Sequence, residues 1–377
     1  MVNTDTLKED IKRLQYIAEH SSSKSLKNYY NSILINLSDM LYELTDEIEE
    51  VRITKRNYIF MEKYTKNLES EIKNIVTKDR YIKFIDELTR NSLKKLKHIN
   101  KTYNFECTIN LEDAKDLIKD FICSYDISLY PIVNKALSDD HLFVLHNEYR
   151  LGDGYSYFNT HSGLPYIVIY AKEKLNIECL ICLIHEIGHI IHFYTTYNRP
   201  KNYTKIVTNN FIEVPSTTFE NIFIDYLIKN NAELKNTQMV LNNNLHMLKE
   251  YLQFLRINNL IIDSVLNYDE IEVETLQHLL SSKGSCIDKD TICQCFNSIQ
   301  LNYSYALGGL VAAYYLEQYR KDPEKTKKDF YDFSKCIGVT EDFYMLNNFG
   351  INFEKFKQCM YLKDIIEENQ KHLQYKR

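Results

Sequence analysis

Residues 177–196 read IECLICLIHEIGHIIHFYTT, and this stretch decides how the centre of the chain folds. Apolar side chains recur in it at steps of four, three and four, at Leu180, Ile184, Ile187 and Ile191. This is the period that turns a single face of an α-helix toward a core. The stretch therefore predicts a helix over residues 177–196 that is anchored in the protein interior.

The same helix carries His185, Glu186 and His189 in the pattern His-Glu-x-x-His. Residues four apart lie one above the other on a helix, so both imidazoles can hold one metal ion. Glu186 is rotated from them by about 100° and can reach a water molecule without binding the metal. This arrangement is typical of zinc peptidases and predicts one zinc ion with Glu186 as the general base. The alternative is a buried helix with two incidental histidines.

A zinc site of this type needs a third protein ligand and leaves a fourth position open for water. Glu213 is the best candidate, because it comes just before Pro215, near the start of the next predicted helix. Glu220, seven residues further on, lies on roughly the same helical face and could orient a ligating imidazole. It could equally be a solvated surface glutamate. We expect His192, one turn beyond His189, to line the site on the substrate side.

Residues that form turns are scarce in this chain of 377 residues, which has 9 glycines and 5 prolines. Average usage would give about 26 and about 19. The shortage argues against sandwiches, propellers and other folds with a turn every few residues, and it favours long helices. Helical periodicity indeed predicts helices along most of the chain, among them 58–75, 235–256, 259–267 and 303–320.

The exception is the region 141–170, where Gly152, Gly154 and Gly163 surround a β-rich run and predict a small sheet. The fold class predicted is mainly α, with one small β-sheet beside the histidine-bearing helix. We predict two regions: an N-terminal helical region over 1–140 and a catalytic domain over 141–377.

Composition restricts the partners and the compartment. The net charge is −6, and no part of the chain is basic enough to predict a nucleic-acid partner. The start of the sequence has no apolar signal core and no run of eighteen apolar residues exists, so no membrane is predicted. Nine cysteines, an odd number, are scattered without a regular spacing, which predicts reduced thiols in the cytoplasm. The oligomeric state is not predicted.

Two segments together resemble the oligoendopeptidase F and thimet oligopeptidase family of zinc peptidases. Residues 185–192 read HEIGHIIH, and residues 211–216 read FIEVPS. The family carries His-Glu-x-Gly-His-x-x-His, followed by a segment of the type Glu-Ala-Pro-Ser. The resemblance implies a multi-helical zincin-like peptidase fold and a peptide substrate. It also implies that His185, His189 and Glu213 bind the zinc ion, the same ligands that their spacing suggests.

A weaker resemblance concerns a glycine-containing hairpin upstream of the zinc helix. Gly154, Tyr155 and Ser156, followed by PYI at residues 165–167, resemble the Gly-Ala-Tyr-Ser and Pro-Tyr-Ile segment of the family. In the family this hairpin lies along the bound peptide. The resemblance therefore implies that these three residues bind substrate, with the peptide added to a strand edge through main-chain hydrogen bonds.

Another resemblance suggests a donor for the oxyanion of the reaction. Residues 303–308 read YSYALG, similar to the Tyr-x-Tyr-Ala-Thr-Gly of the family. Tyr303 and Tyr305 are the candidates, since a phenol can donate a hydrogen bond without carrying charge. Two residues on a helix point about 200° apart, so we expect only one to face the zinc. The resemblance slightly favours Tyr305.

The chain departs from the family in two ways. Its N-terminal helical half is much shorter, and no histidine lies between His278 and His372, where the family usually has one before the tyrosine motif. We expect a zinc-dependent endopeptidase for short or unfolded peptides, and as a narrower version a dedicated peptide-processing protease. The alternatives are a non-catalytic peptide-binding or scaffold protein on a degenerate peptidase fold, and a zinc hydrolase of non-peptide amides.

Overall fold

The structure of the protein is a computed structural model. It describes residues 4–20, 24–45, 79–100, 108–147, 150–196, 210–230, 237–267, 277–278, 299–338, 340, 342–358, 360–362 and 365–367. The helix predicted at 58–75 lies outside these residues, as does 279–298, the segment before the tyrosine motif.

Helices make up most of the described chain. In chain order they are α1 (Asp5–His20), α2 (Lys24–Thr45), α3 (Asp79–Lys95), α4 (Leu111–Tyr125), α5 (Tyr130–Ala136), α6 (Ile177–Thr196), α7 (Val214–Asn230), α8 (Thr237–Asn267), α9 (Ile299–Lys321), α10 (Pro323–Cys336), α11 (Asp342–Asn348) and α12 (Phe353–Lys357). Short 3-10 turns cover Ile127–Leu129 and Met360–Leu362.

The strands β2 (Leu142–Leu145), β3 (Gly154–Asn159) and β4 (Leu164–Tyr170) form one sheet in the order β2-β4-β3. β2 runs parallel to β4, whereas β3 is antiparallel to β4 and forms a hairpin with it. Gly163 closes that hairpin at φ +71°, a left-handed conformation that glycine adopts without strain. The short strands β1 (Thr108–Ile109) and β5 (Leu175–Asn176) pair separately. Among the described strands, β3 therefore lies at an edge.

Helices cover both faces of this sheet, and the alternation of side chains in β4 explains why. Tyr166, Val168 and Tyr170 belong to one buried cluster with apolar residues of α1 and α2. The intervening Ile167 and Ile169 are equally buried and point to the other face, because successive side chains of a strand alternate. On that face α6 packs on β3 and β4. The central strand is thus apolar throughout because it has no solvent-facing side.

Two carboxylates fasten the N-terminal helices to the sheet. Asp10 of α1 is 2% exposed, and its Oδ2 accepts hydrogen bonds from Asn159 Nδ2 at 2.6 Å, Ser162 Oγ at 3.1 Å and Tyr166 OH at 3.1 Å. Three donors compensate the burial of that charge. On α2, Glu43 accepts from Tyr155 OH at 2.5 Å, from Arg150 Nη1 at 2.8 Å and from Tyr170 OH.

The chain forms two compact units. The first comprises Met1–Glu49, Asn104–Lys201 and Pro215–Val240, and it holds the three-stranded sheet with α1, α2 and α6. The second comprises Glu50–Tyr103, Asn202–Val214 and Leu241–Arg377. Its core includes Tyr315 of α9 packed edge-on against Phe330 and Phe333 of α10. The two regions predicted from the sequence, 1–140 and 141–377, stay a prediction.

The predicted fold class is confirmed: the protein is mainly helical, with a small sheet beside the helix that carries the histidines. That helix, Ile177–Thr196, has the bounds predicted for it. It is also long and apolar enough to cross a membrane by length and composition, but 72% of the relevant window is buried inside the protein, as in many core helices. The helices predicted at 235–256 and 259–267 form the single helix α8.

Candidate active site

His185 and His189 face each other across one turn of α6. Their Nε2 atoms are 3.2 Å apart, and their rings lie at an interplanar angle of 77°. Two nitrogen ligands at 2.0–2.1 Å from a tetrahedral zinc ion would be separated by about 3.3 Å. The two nitrogens therefore already have nearly the separation that a shared zinc ion requires.

Glu213 completes a cluster with this pair. A carboxylate oxygen of Glu213 and one ring nitrogen from each of His185 and His189 all lie within 4.8 Å of one another. Glu213 is 7% exposed and immediately precedes α7, in which Pro215 is the second residue. Proline is tolerated there because the first turn of a helix has no internal partner for its N–H groups. Glu213 is bonded directly to Val214, the first residue of α7.

The close approach of α6 and α7 depends on a glycine inside the motif. A Cβ atom at Gly188 would lie 2.6 Å from Ser216 Cα and 3.1 Å from Pro215 O. Real Cβ atoms do not approach backbone atoms that closely, so Gly188 allows the first turn of α7 to touch α6. Since Glu213 lies two residues before Pro215, this contact helps to fix the carboxylate near the histidines.

Glu220 contacts the outer nitrogen of one histidine. Its Oε1 is the hydrogen-bond partner of His185 Nδ1, and both side chains are largely buried. A neutral imidazole that donates its Nδ1–H to a carboxylate must present its lone pair on Nε2. That is the nitrogen directed toward His189, so Glu220 favours the tautomer that a metal ion can use.

Glu186 lies on a different side of α6, against the sheet. Its side chain is 5% exposed, and its Oε2 accepts a hydrogen bond of 2.7 Å from Ser156 Oγ in β3. The 100° rotation anticipated from the sequence thus separates the glutamate from both histidines.

The three residues of β3 that the sequence grouped as substrate-binding point in two directions. A Cβ atom at Gly154 would lie 2.7 Å from Cys182 Sγ of α6, on the same face as Ser156. Tyr155 points to the opposite face and donates to Glu43, and burial together with that carboxylate raises the pKa of the phenol. The alternation of a strand could have given this result, since residues 154, 155 and 156 cannot share a face.

The remaining predicted residues are placed as follows. His192 is buried, with its ring stacked on Phe193 at 5.2 Å between centroids. Tyr303 and Tyr305 both lie on α9 in the second unit. Burial raises the pKa of Tyr303, whereas Tyr305 is partly exposed and stacks on Tyr251 of α8 at 4.6 Å. The roles predicted for these three residues stay predictions.

The side chains at this site fit a zinc ion. Two imidazole nitrogens and one carboxylate oxygen are zinc ligands, and three protein ligands with an open fourth position are typical of catalytic sites. The separation of the nitrogens suits tetrahedral geometry, and the contact with Glu220 prepares one of them for the metal.

Comparison with known proteins agrees with this geometry. Residues 124–305, just under half of the chain, match peptidase family M3. The chain is 29% identical to oligopeptidase PepF of Bacillus subtilis (strain 168) over 147 residues, which are 38% of this chain and 20% of that protein. The match thus spans about a fifth of the relative's own length.

Solved structures share the fold at low sequence identity. The structure of PZ peptidase A with an inhibitor has a TM-score of 0.54 at 12% identity, with 96% of this chain and 71% of that chain covered. A structure from Chlamydophila abortus, provisionally described as a peptidase, has a TM-score of 0.50 at 16% identity, with 82% and 55% covered. The matches confirm the resemblance noted in the sequence: residues 124–305 are similar to the domain of peptidase family M3.

Proposed function

We propose that the protein is a zinc-dependent endopeptidase that hydrolyses short or unfolded peptides. The observation that carries this proposal is the cluster of His185, His189 and Glu213, with the two Nε2 atoms 3.2 Å apart. His185, His189 and Glu213 would hold one zinc ion, with Glu220 orienting His185 from behind. We propose residues 141–377 as the catalytic domain.

Glu186 is proposed as the general base. When bound, zinc would supply Lewis acidity at the scissile carbonyl and make water acidic enough to deprotonate near neutral pH. The Glu186 carboxylate accepts that proton and later gives it to the leaving amine, so that one group serves as base and then as acid. The position of Glu186 beside the histidines, and not in line with them, supports this role.

Two further groups are proposed to act on the substrate. A phenol, that of Tyr305 in preference to Tyr303, donates a hydrogen bond to the oxyanion that forms at the carbonyl carbon. The peptide backbone pairs with the edge of β3 around Gly154, Tyr155 and Ser156, where main-chain groups bind it independently of its sequence. His192 lines the same site.

The wider biological setting follows the same reasoning. We propose a cytoplasmic enzyme whose partners are peptides, with neither nucleic acid nor membrane involved. A dedicated processing protease is the narrower version of this proposal. It would cleave one partner peptide far faster than unrelated peptides of similar length.

The decisive experiment compares the parent with Glu186→Gln, and with Glu173→Gln as a control. Glu173 is an exposed glutamate in the turn before β5. We expect about one zinc ion per chain in all three proteins by atomic emission, and cleavage of quenched fluorescent peptides by the parent and the control. Loss of the general base should reduce kcat by about 10²–10⁴-fold. Zinc binding without cleavage of any peptide by the parent would favour a peptide-binding protein, and absence of zinc would overturn the site.

A further inference from the structure

Ser156 makes a contact that the substrate-binding role predicted for it does not explain. We propose that Ser156 is a positioning residue, whose hydroxyl holds one oxygen of the Glu186 carboxylate so that the other is directed at the attacking water. This inference rests on the proposed function, because it assumes that Glu186 is the general base.

The hydrogen bond itself is well formed. Ser156 Oγ lies 2.7 Å from Glu186 Oε2, the usual distance for a hydroxyl donor. Glu186 is 5% exposed, and a buried carboxylate without a hydrogen bond costs several times the net value of the bond. Serine supplies a neutral donor, so it compensates the burial without adding a positive charge that would weaken Glu186 as a base.

The packing of β3 on α6 fixes the position of Ser156 relative to Glu186. Gly154 contacts Cys182 and Ser156 contacts Glu186, so two residues along the strand correspond to four along the helix. Two strand residues span about 6.6 Å, and four helix residues span about 6.0 Å. The two repeats nearly coincide, so the same register that seats Gly154 over the helix brings the Ser156 hydroxyl to the carboxylate.

The same geometry argues against direct substrate contact by the Ser156 side chain. A serine hydroxyl has one hydrogen to donate, and Ser156 donates it to Glu186. A peptide added to the edge of β3 would lie in the plane of the sheet, whereas the Ser156 side chain projects from that plane toward α6. Its main-chain groups can still pair with substrate.

Removal of the hydroxyl should therefore affect turnover more than substrate binding. In Ser156→Ala the carboxylate keeps its charge but loses the bond that fixes its plane. We expect kcat to fall about 10- to 100-fold with KM within twofold of the parent, since misplacement of a catalytic group by about 1 Å can cost 10²-fold. Ser156→Thr keeps the hydroxyl and should recover most of the lost kcat.

A matched control exists in the same hairpin. Ser162 Oγ donates to Asp10, so Ser162→Ala removes a hydroxyl from a buried carboxylate on the opposite side of the sheet. We expect this variant to lose thermal stability and keep the parental kcat. If Ser156→Ala does not fold, Ser156→Cys can replace it, because a thiol has a similar volume and is a weaker donor. We expect kcat to fall in Ser156→Cys as well, but by a smaller factor.

A readout without activity completes the test. In crystals of the metal-free protein, Glu186 should occupy one rotamer in the parent and in Ser156→Thr, and a displaced or divided one in Ser156→Ala. Zinc affinity should be equal in all three, because Ser156 contacts no ligand of the proposed metal site in the described structure.

Three results would overturn the inference while leaving the proposed function intact: parental kcat in Ser156→Ala, a raised KM at unchanged kcat, or an unmoved Glu186 side chain. A parent that binds no zinc or cleaves no peptide would instead contradict the proposed function itself.

Discussion

Gly188 allows α6 and α7 to touch, because it has a hydrogen atom where any other residue has a Cβ atom. It lies between His185 and His189, the two proposed zinc ligands on α6, and Pro215 and Ser216 of α7 pack against it. The carboxylate of Glu213 approaches the histidines from the chain segment that this contact positions. Gly188 therefore has a geometric role: it allows the two helices to approach each other closely.

We predict that Gly188→Ala weakens zinc binding. The added methyl group would lie 2.6 Å from a backbone atom, so α7 must move away and carry Glu213 with it. Overpacking of this kind typically costs about 1–3 kcal/mol of folding stability. The measurement is zinc affinity by competition with a chromogenic chelator.

Gly309→Ala provides the matched control. There the new Cβ would meet the flexible side chain of Leu248 at 2.8 Å and no backbone atom of α7. We expect a loss of stability with unchanged zinc affinity. Equal affinities in Gly188→Ala and the parent would show that the contact does not position Glu213.

Among the secondary-structure elements, β3 makes specific contacts on both of its faces. One of its faces meets α6 through Gly154 and Ser156, and the other meets α2 through Tyr155. The strand therefore contacts both an N-terminal helix and the helix that carries Glu186. Glu43 lies 113 positions before Ser156 in the chain. Tyr155 donates a hydrogen bond to Glu43, and the next residue, Ser156, donates one to Glu186.

We predict that Gly154→Ala destabilises the protein and that Cys182→Ala partly compensates. The new methyl group would meet Cys182 Sγ at 2.7 Å and Val168 O at 3.1 Å. Removal of the sulfur relieves the first contact and not the second. In urea unfolding, the double variant should be more stable than the sum of the single changes implies, with a coupling of about 0.5–3 kcal/mol. Strict additivity would mean that α6 and β3 are not held at this spacing.

Sequence periodicity was sufficient for α6 because the helix is apolar over its whole length and carries a recognisable motif. It was insufficient for α8, predicted as two helices over 235–256 and 259–267, whereas the structure continues the helix through Asn258 and Asn259. Both amides are buried in a continuous helix, so tertiary packing outweighed the low helix propensity of asparagine.

The candidate site shows a similar division. Helix geometry predicted that His185 and His189 would lie together, because it relates residues at short range, whereas Glu213 was chosen from its place near the start of the next predicted helix and from the family resemblance. The partners of Tyr155 and Asn159 could not be predicted, since Glu43 and Asp10 lie more than a hundred residues earlier in the chain. No local sequence pattern shows that an acidic residue on a helix will pack against a sheet and accept hydrogen bonds from it.

At the scale of the whole molecule, the proposed zinc ion would join segments that are separated in sequence. Glu213 precedes α7, the histidines belong to α6, and residues 197–209 between them lie outside the described structure. Any ion that binds the folded cluster and not the unfolded chain must raise the free energy of unfolding.

We therefore predict that chelation lowers the melting temperature. At a free zinc concentration of 100 times Kd the stabilisation is about 2.7 kcal/mol, and it disappears with excess EDTA. Differential scanning calorimetry with and without EDTA measures the difference. His189→Ala should melt at the same temperature in both buffers, and a parent that melts identically in both would contradict the zinc site.

Because β3 contacts a helix on each of its faces, insertions and deletions within this strand should be poorly tolerated. Insertion or deletion of one residue between Gly154 and Ser156 would rotate every following side chain of the strand by half a turn. Beyond the altered position, side chains that now lie against α6 would turn toward α2 and the reverse, so Glu186 would lose its hydrogen bond from Ser156. Changes of length are better accommodated in the hairpin turn of residues 160–163. We therefore expect relatives to differ in length in this turn. Within the strand we expect them to differ by substitution only.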